Sequence, residues 1–302
     1  MKLSLSVGPT NKEGFLKYTN AGFKHFELSM GNFPRERISE DKLNMMFDNM
    51  QEVKESLKVD FPSAHAPYSF NPCESEESFE VQVQHIECAL RVCESLGIDR
   101  MVTHAGFGFS ESYDEMIEKN VKYYNTILPL AERYNVTFLI ENIAEEIYKR
   151  KLVIEYADNI LLLREKLNNH PLIGACWDTG HANTKHIDQY PEIIKLKGIL
   201  KGLHLQDNNG INDDHMPILM GTVNYDDVIQ GLKDIGYDGA FNMETKIFNS
   251  GKAWPNFRMK YNEGSNAPHL LFDPDEALTA YGFEIMHFLG EYAMKKHGII
   301  VE

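Results

Sequence analysis

Ile173-Gly174-Ala175-Cys176-Trp177-Asp178-Thr179-Gly180-His181-Ala182 is the stretch that decides the fold. Its first half is a short apolar run that ends on a carboxylate. Its second half is polar around a glycine. An unbroken apolar run of this length suits a strand buried on both faces, as in a parallel sheet. The same phrase recurs in both directions from here: apolar strand, polar or charged residue, loop, amphipathic helix. Strands are expected at 3–7, 25–30, 61–66, 100–104, 137–142, 173–178, 202–206 and 240–244. The first two alternate; the others are nearer to continuous apolar runs.

Helices are expected between them. Over 39–57 the apolar residues Leu43, Met46, Phe47, Met50, Val53 and Leu57 recur at steps of three and four, which makes one stripe. Over 78–96, Ile86, Ala89, Leu90, Cys93 and Leu96 repeat the pattern, and Gly97 stands where a helix-ending glycine belongs. Further helices are expected at 12–20, 113–134, 152–167, 189–196, 225–235 and 275–295. Strands alternating with helices in this way build a closed barrel or an open doubly wound sheet. No G-x-G-x-x-G follows a strand, so the dinucleotide-binding sheet lacks its fingerprint. No Pro/Gly/Ser-rich linker divides the chain. The expectation is one α/β domain over 1–302, a (β/α)8 TIM barrel. Two loops, 206–224 and 245–272, are longer than a barrel requires. Both follow strands, so both belong on the catalytic face.

The chain has 302 residues, 43% hydrophobic and 25% charged, with a formal net charge of -15. An acidic surface repels a phosphate backbone, and no Lys/Arg-rich run offsets it, so nucleic acid is disfavoured as a partner. The first residues are too short and too polar for a secretory leader, and no apolar run reaches membrane-span length. Cys73, Cys88, Cys93 and Cys176 form no C-x-x-C pair. Reduced thiols and a cytoplasmic location are expected.

The polar residues at the strand ends are Glu27, His65, His104, Glu141, Asp178, His204 and Glu244. Their successive separations are 38, 39, 37, 37, 26 and 40 residues, close to one strand-helix unit each. C-terminal strand ends of a barrel point into one pocket, so residues distant in sequence meet there. Singly, each reads as a hydrogen-bonded structural residue. Together they make a charge cluster that is costly without a cation. Mixed carboxylate and imidazole donors suit Mn, Zn, Co, Fe or Mg. Asp178 and His181 lie three apart across a glycine turn. Asp213 and His215 lie two apart, which in an extended loop puts both side chains on one side. Asp207 and Asn208 also read as solvated turn residues.

These phrases resemble the xylose isomerase-like TIM barrel superfamily, which contains sugar isomerases and epimerases, inosose dehydratases and endonuclease IV. The resemblance covers nearly the whole chain, and its motifs specify the superfamily better than the substrate. In the ketose 3-epimerase branch Glu, Asp, His and Glu from four late strands hold a metal. Glu141, Asp178, His204 and Glu244 match those positions, and the two glutamates would then serve as acid and base. His181 matches a substrate-binding histidine. The arginine usual in the loop after the seventh strand is absent from 206–221. The endonuclease IV branch binds three zinc ions, and His65, His104, Glu141, Asp178, His181, His204, Asp213, His215 and Glu244 match all nine ligand positions. Its zinc phrase carries cysteine where this chain has Gly180.

The resemblance implies a metal-dependent sugar isomerase or epimerase that moves a proton through a metal-stabilised enediolate. The alternatives are an endonuclease IV-like zinc phosphodiesterase, an inosose-type dehydratase, and a non-catalytic sugar-binding barrel. The implied partner is a small sugar or polyol. Segment 245–272 contains Phe248, Trp254, Phe257, Tyr261 and His269. Its aromatics, Trp254 among them, read either as a wall against a sugar ring or as a subunit interface of a homo-oligomer.

Overall fold

The computed structural model describes residues 1–31, 33, 37–108, 112–144, 153–245 and 276–302, the side chains of 276–278 excepted. Eight parallel strands alternate with helices: β1 Leu3–Val7, β2 His25–Ser29, β3 Asp60–His65, β4 Arg100–Thr103, β5 Thr137–Glu141, β6 Ile173–Asp178, β7 Leu200–His204 and β8 Phe241–Met243. Their order in the sheet is β7-β6-β5-β4-β3-β2-β1-β8. The ring closes between β7 and β8 through one bridge, Leu205 to Met243. This is the expected single-domain (β/α)8 TIM barrel. The observed strands β3 and β7 each begin before their expected starts. His104 and Glu244 stand one residue beyond β4 and β8 rather than inside them.

The described helices are α1 Lys12–Asn20, α2 Glu40–Leu57, α3 Glu76–Leu96, α4 Tyr113–Tyr134, α5 Ala157–Lys166, α6 Thr179–Thr184, α7 Gln189–Lys195, α8 Tyr225–Ile235 and α9 Glu276–Lys296. Their starts are chemically marked. Ser75 accepts the Ser78 amide at 3.1 Å, and Ser112 forms a reciprocal capping box with Glu115. Gly97 ends α3 at φ +69, the left-handed conformation that closes a helix at least strain in glycine. Helix α6 was not expected: the phrase read as a glycine turn is a helical turn, and Asp178 caps it through the His181 amide at 2.7 Å.

The period-two alternation of each strand divides the core. On β6, Ala175 and Trp177 join the large apolar cluster between sheet and helices. Cys176 instead meets Val102 and Leu139 in a separate small cluster, on the opposite face and inside the barrel. Gly202 makes room for it: a Cβ there would stand 2.7 Å from Leu139 and 3.3 Å from the Cys176 sulfur. Two residues along the same face of β6 lies Asp178, so the apolar plug directly supports the polar site. No described helix is long and apolar enough to cross a membrane.

Candidate metal centre

All seven strand-end residues gather at one mouth of the barrel. Glu141, at the end of β5 and 1% exposed, is the hub. One of its oxygens lies 2.9 Å from His104 Nε2 and 3.4 Å from His65 Nε2. The other lies 2.8 Å from His204 Nδ1 and 3.5 Å from His181 Nδ1. Glu244, 21% exposed at its side chain, reaches His204 Nδ1 at 3.4 Å from the other side of β7. Among the described residues, three groups have ligand atoms within 4.8 Å of one another: Glu141, Asp178, His204 and Glu244; His65, Glu141 and His204; His181, Asp213 and His215. The four residues expected to hold the metal therefore converge. So do the five expected as additional metal or substrate ligands, His104 entering through its bond to Glu141.

The loop carrying Asp213 and His215 does not run extended. His215 has φ +51, in the left-handed region that non-glycine residues seldom adopt, and this turn brings its Nε2 to 2.9 Å from Asp213 Oδ2. Asp207 is fully buried rather than solvated. It accepts the backbone amides of Asn208, Gly221 and Val223 at 2.9, 2.8 and 3.0 Å, which ties the loop down. His181, matched to a substrate-binding histidine, turns its Nε2 toward Asp213 at 3.7 Å. Trp254 and segment 246–275 lie outside the described residues.

The histidines are oriented from behind. His65 Nδ1 donates to the Ala66 carbonyl at 2.8 Å, His181 Nδ1 to Asn142 at 2.8 Å and His215 Nδ1 to Glu244 at 2.9 Å. Each then turns Nε2 toward a carboxylate of the cluster, His65 toward Glu141 and His181 and His215 toward Asp213, the arrangement by which proteins fix a metal-binding imidazole. His204 is turned the other way: its Nε2 meets Glu27 at 2.9 Å, and Ser63 donates to the second Glu27 oxygen at 2.9 Å. Sequence reasoning placed Glu27 at a strand end and assigned it no role. It also passed over Asn142, whose side chain accepts the Asp178 amide at 2.6 Å and donates to the Asp178 carbonyl at 3.0 Å.

The residues fit a divalent cation on three observations. Asp178 Oδ2 is buried with no hydrogen-bond partner, while its Oδ1 is engaged by the helix cap. A buried carboxylate oxygen left bare is costly unless something positive meets it. Second, the carboxylates cannot all ionise at ease. Burial pushes Asp178 up to about 7 against the pull of His181, and the charges of Glu141, Glu244 and Asp213 add to the rise. Burial works the same way on Glu141, yet His204 and His104 overrule it and hold it well below the carboxylate range. Burial works to lower His204, yet Cys176, Glu141, Glu27 and Glu244 around it hold it well above the ordinary imidazole value. Third, the donor set is oxygen and imidazole throughout, the set for Zn, Mn, Co, Fe or Mg.

Among known proteins, the chain is 29% identical over 204 residues to MJ1311 of Methanocaldococcus jannaschii, covering 65% of this chain and 68% of that protein. It is 28% identical over 147 residues to the probable endonuclease 4 of Sulfurihydrogenibium sp., covering 48% of this chain and half of the relative. Among solved structures, a D-tagatose 3-epimerase-like protein superposes with a TM-score of 0.71 over 98% of this chain and 99% of its own, at 22% identity. That identity speaks for the fold alone. The sequence profile of the xylose isomerase-like TIM barrel family matches residues 15–263. The chain belongs to the xylose isomerase-like TIM barrel family.

Proposed function

We propose that the protein is a metal-dependent isomerase or epimerase of a sugar or polyol, acting by proton transfer at a carbon beside a carbonyl. The observation that carries this reading is the placement of Glu141 and Glu244. They approach His204 Nδ1 at 2.8 and 3.4 Å from β5 and from beyond β8, strands on either side of β7. A cation held by Glu141, Asp178, His204 and Glu244 supplies the charge that polarises a carbonyl oxygen and acidifies the neighbouring C–H. Glu244 is the more exposed of the pair and is the residue to meet substrate and accept the proton. Glu141, held ionised by its imidazoles, stands on the other flank. Tyr68, 44% exposed, stacks on His104 at 5.0 Å and offers an aromatic wall of the kind sugar rings pack against.

The test is turnover of a panel of aldoses and ketoses in deuterated water. Solvent deuterium at carbon in the product, lost in Glu244→Gln, supports the reading. Product formed without label argues for a hydride shift or hydrolysis and overturns it.

A second reading has its own observation. The groups His65–Glu141–His204 and His181–Asp213–His215, with His104, complete the nine positions of endonuclease IV, and an endonuclease 4 is among the relatives. That chemistry would be phosphodiester hydrolysis at a multinuclear site. Cleavage of abasic-site DNA at catalytic protein concentrations, with zinc supplied, would establish it. The net charge of -15 favours the small-molecule reading.

A further inference from the structure

Gln206 follows β7 and is fully buried. Its backbone is locked. Thr179 Oγ1 accepts its amide at 3.2 Å and donates to its carbonyl at 2.8 Å, and the Tyr225 hydroxyl donates to that carbonyl at 2.9 Å. Its side-chain Nε2 donates twice: to Asp178 Oδ1 at 3.3 Å and to Asp213 Oδ1 at 2.5 Å. Asp178 belongs to the central ligand group and Asp213 to the outer one. One amide therefore grips an oxygen on each of two groups. The second oxygens are left to the clusters, Asp178 Oδ2 without a hydrogen-bond partner and Asp213 Oδ2 beside His215.

The arrangement has a cost that packing alone does not explain. Gln206 Oε1 is buried with no hydrogen-bond partner. An apolar side chain would fill the same space without an orphan acceptor. The space itself is reserved, because a Cβ at Gly180 would overlap the Gln206 carboxamide. A lysine or arginine at this point would neutralise the carboxylates and compete with a cation. An amide orients them and leaves their charge intact.

We propose that Gln206 is a positioning residue that sets the outer group His181–Asp213–His215 against the central group Glu141–Asp178–His204–Glu244, with Gly180 as the gap that admits it. Cation uptake at the outer group then depends on the bridge. This rests on the metal reading above and does not depend on which reaction the site performs.

The experiment titrates the metal-free full chain with Co2+, followed by visible absorption and calorimetry. The wild type is expected to take up cobalt in at least two steps, one of which is missing in His215→Ala and so belongs to the outer group. Gln206→Met keeps the side chain's length and removes both donors. Gly180→Ala leaves Gln206 in place and evicts its amide. Each should weaken the outer step about tenfold or more, the scale of a lost orienting hydrogen bond, and shift the central step by less than about threefold. Shortening the bridge vacates the gap, so Gly180→Ala added to Gln206→Asn should cost nothing further. An unchanged outer step in Gln206→Met, or losses that add in the double variant, would overturn the inference. So would a wild type with a central step and no outer one. A wild type that binds no cobalt would instead overturn the metal reading itself.

Discussion

Glu27→Gln is the sharpest perturbation of the centre, because it touches no ligand atom. Glu27 is 1% exposed and His204 is fully buried, with 2.9 Å between the carboxylate and Nε2. The glutamine keeps the size and can still accept from the imidazole. What it removes is the negative charge behind the ring. A hydrogen bond to a charged partner is worth about 1.5–3 kcal/mol, against about 1 for a neutral pair. Orienting partners of metal-binding histidines typically carry about 10–100-fold in affinity, or about 1.4–2.7 kcal/mol. With metal in excess, the same amount is lost from metal-dependent stabilisation. At about 2 °C per kcal/mol for a chain of this size, the metal-induced rise in Tm should shrink by about 3–5 °C. Chelator competition measures the affinity, and melts with and without Zn2+ or Mn2+ measure the stabilisation. A dissociation constant within about threefold of wild type, with an unchanged metal-induced shift, would refute the view that Glu27 tunes His204.

Three further outcomes follow from the structure. Glu244→Gln should abolish solvent exchange into substrate while the chain stays folded, as read by deuterium incorporation and circular dichroism, since an amide cannot serve as the base. Phe26→Ala removes a fully buried ring packed edge-on to Phe15 at 4.8 Å, and urea unfolding should show a loss of about 3–5 kcal/mol. Burial works to raise the Asp60 carboxyl, but its bonds to His25 and Lys2 hold it below its ordinary value. Its stabilisation is therefore present above the unfolded-state value and fades as pH falls through the folded-state value. Asp60→Asn should lower stability near neutral pH by an amount reduced by solvent screening, and should converge with wild type in acid. A constant gap between the two unfolding curves at every pH would contradict this assignment.

The barrel was legible because apolar runs ending on charged residues recur at near-equal spacing; the repetition also suits an open doubly wound sheet, and the missing G-x-G-x-x-G and linker turned the choice to closure. The candidate ligand residues were legible through the same repetition: one polar strand end reads as a structural residue, but seven at matching positions make a charge cluster that calls for a cation. What sits behind the ligands was not legible. Glu27 works on His204 across 177 positions of sequence, a pairing that exists only once the ring closes. Gln206 stood only as the end of an expected strand and Asp207 read as a turn residue, whereas tertiary burial makes one a bridge and the other an anchor. Gly180 suggested a turn, yet its missing side chain serves Gln206 while the backbone stays helical.

The seam between β7 and β8 gives the centre a mechanical side. Two backbone hydrogen bonds, Leu205 N to the Asn242 carbonyl at 2.9 Å and Glu244 N to the Leu205 carbonyl at 3.1 Å, stitch these strands together. His204 and Glu244 stand on opposite lips of that stitch. An ion gripped by both would act as a clasp on the thinnest join of the ring. Loading it would slow the breathing of the cylinder, and stripping it would let the join part first. Amide hydrogen exchange at Leu205 and Glu244 would then report on the clasp directly, well before global unfolding does.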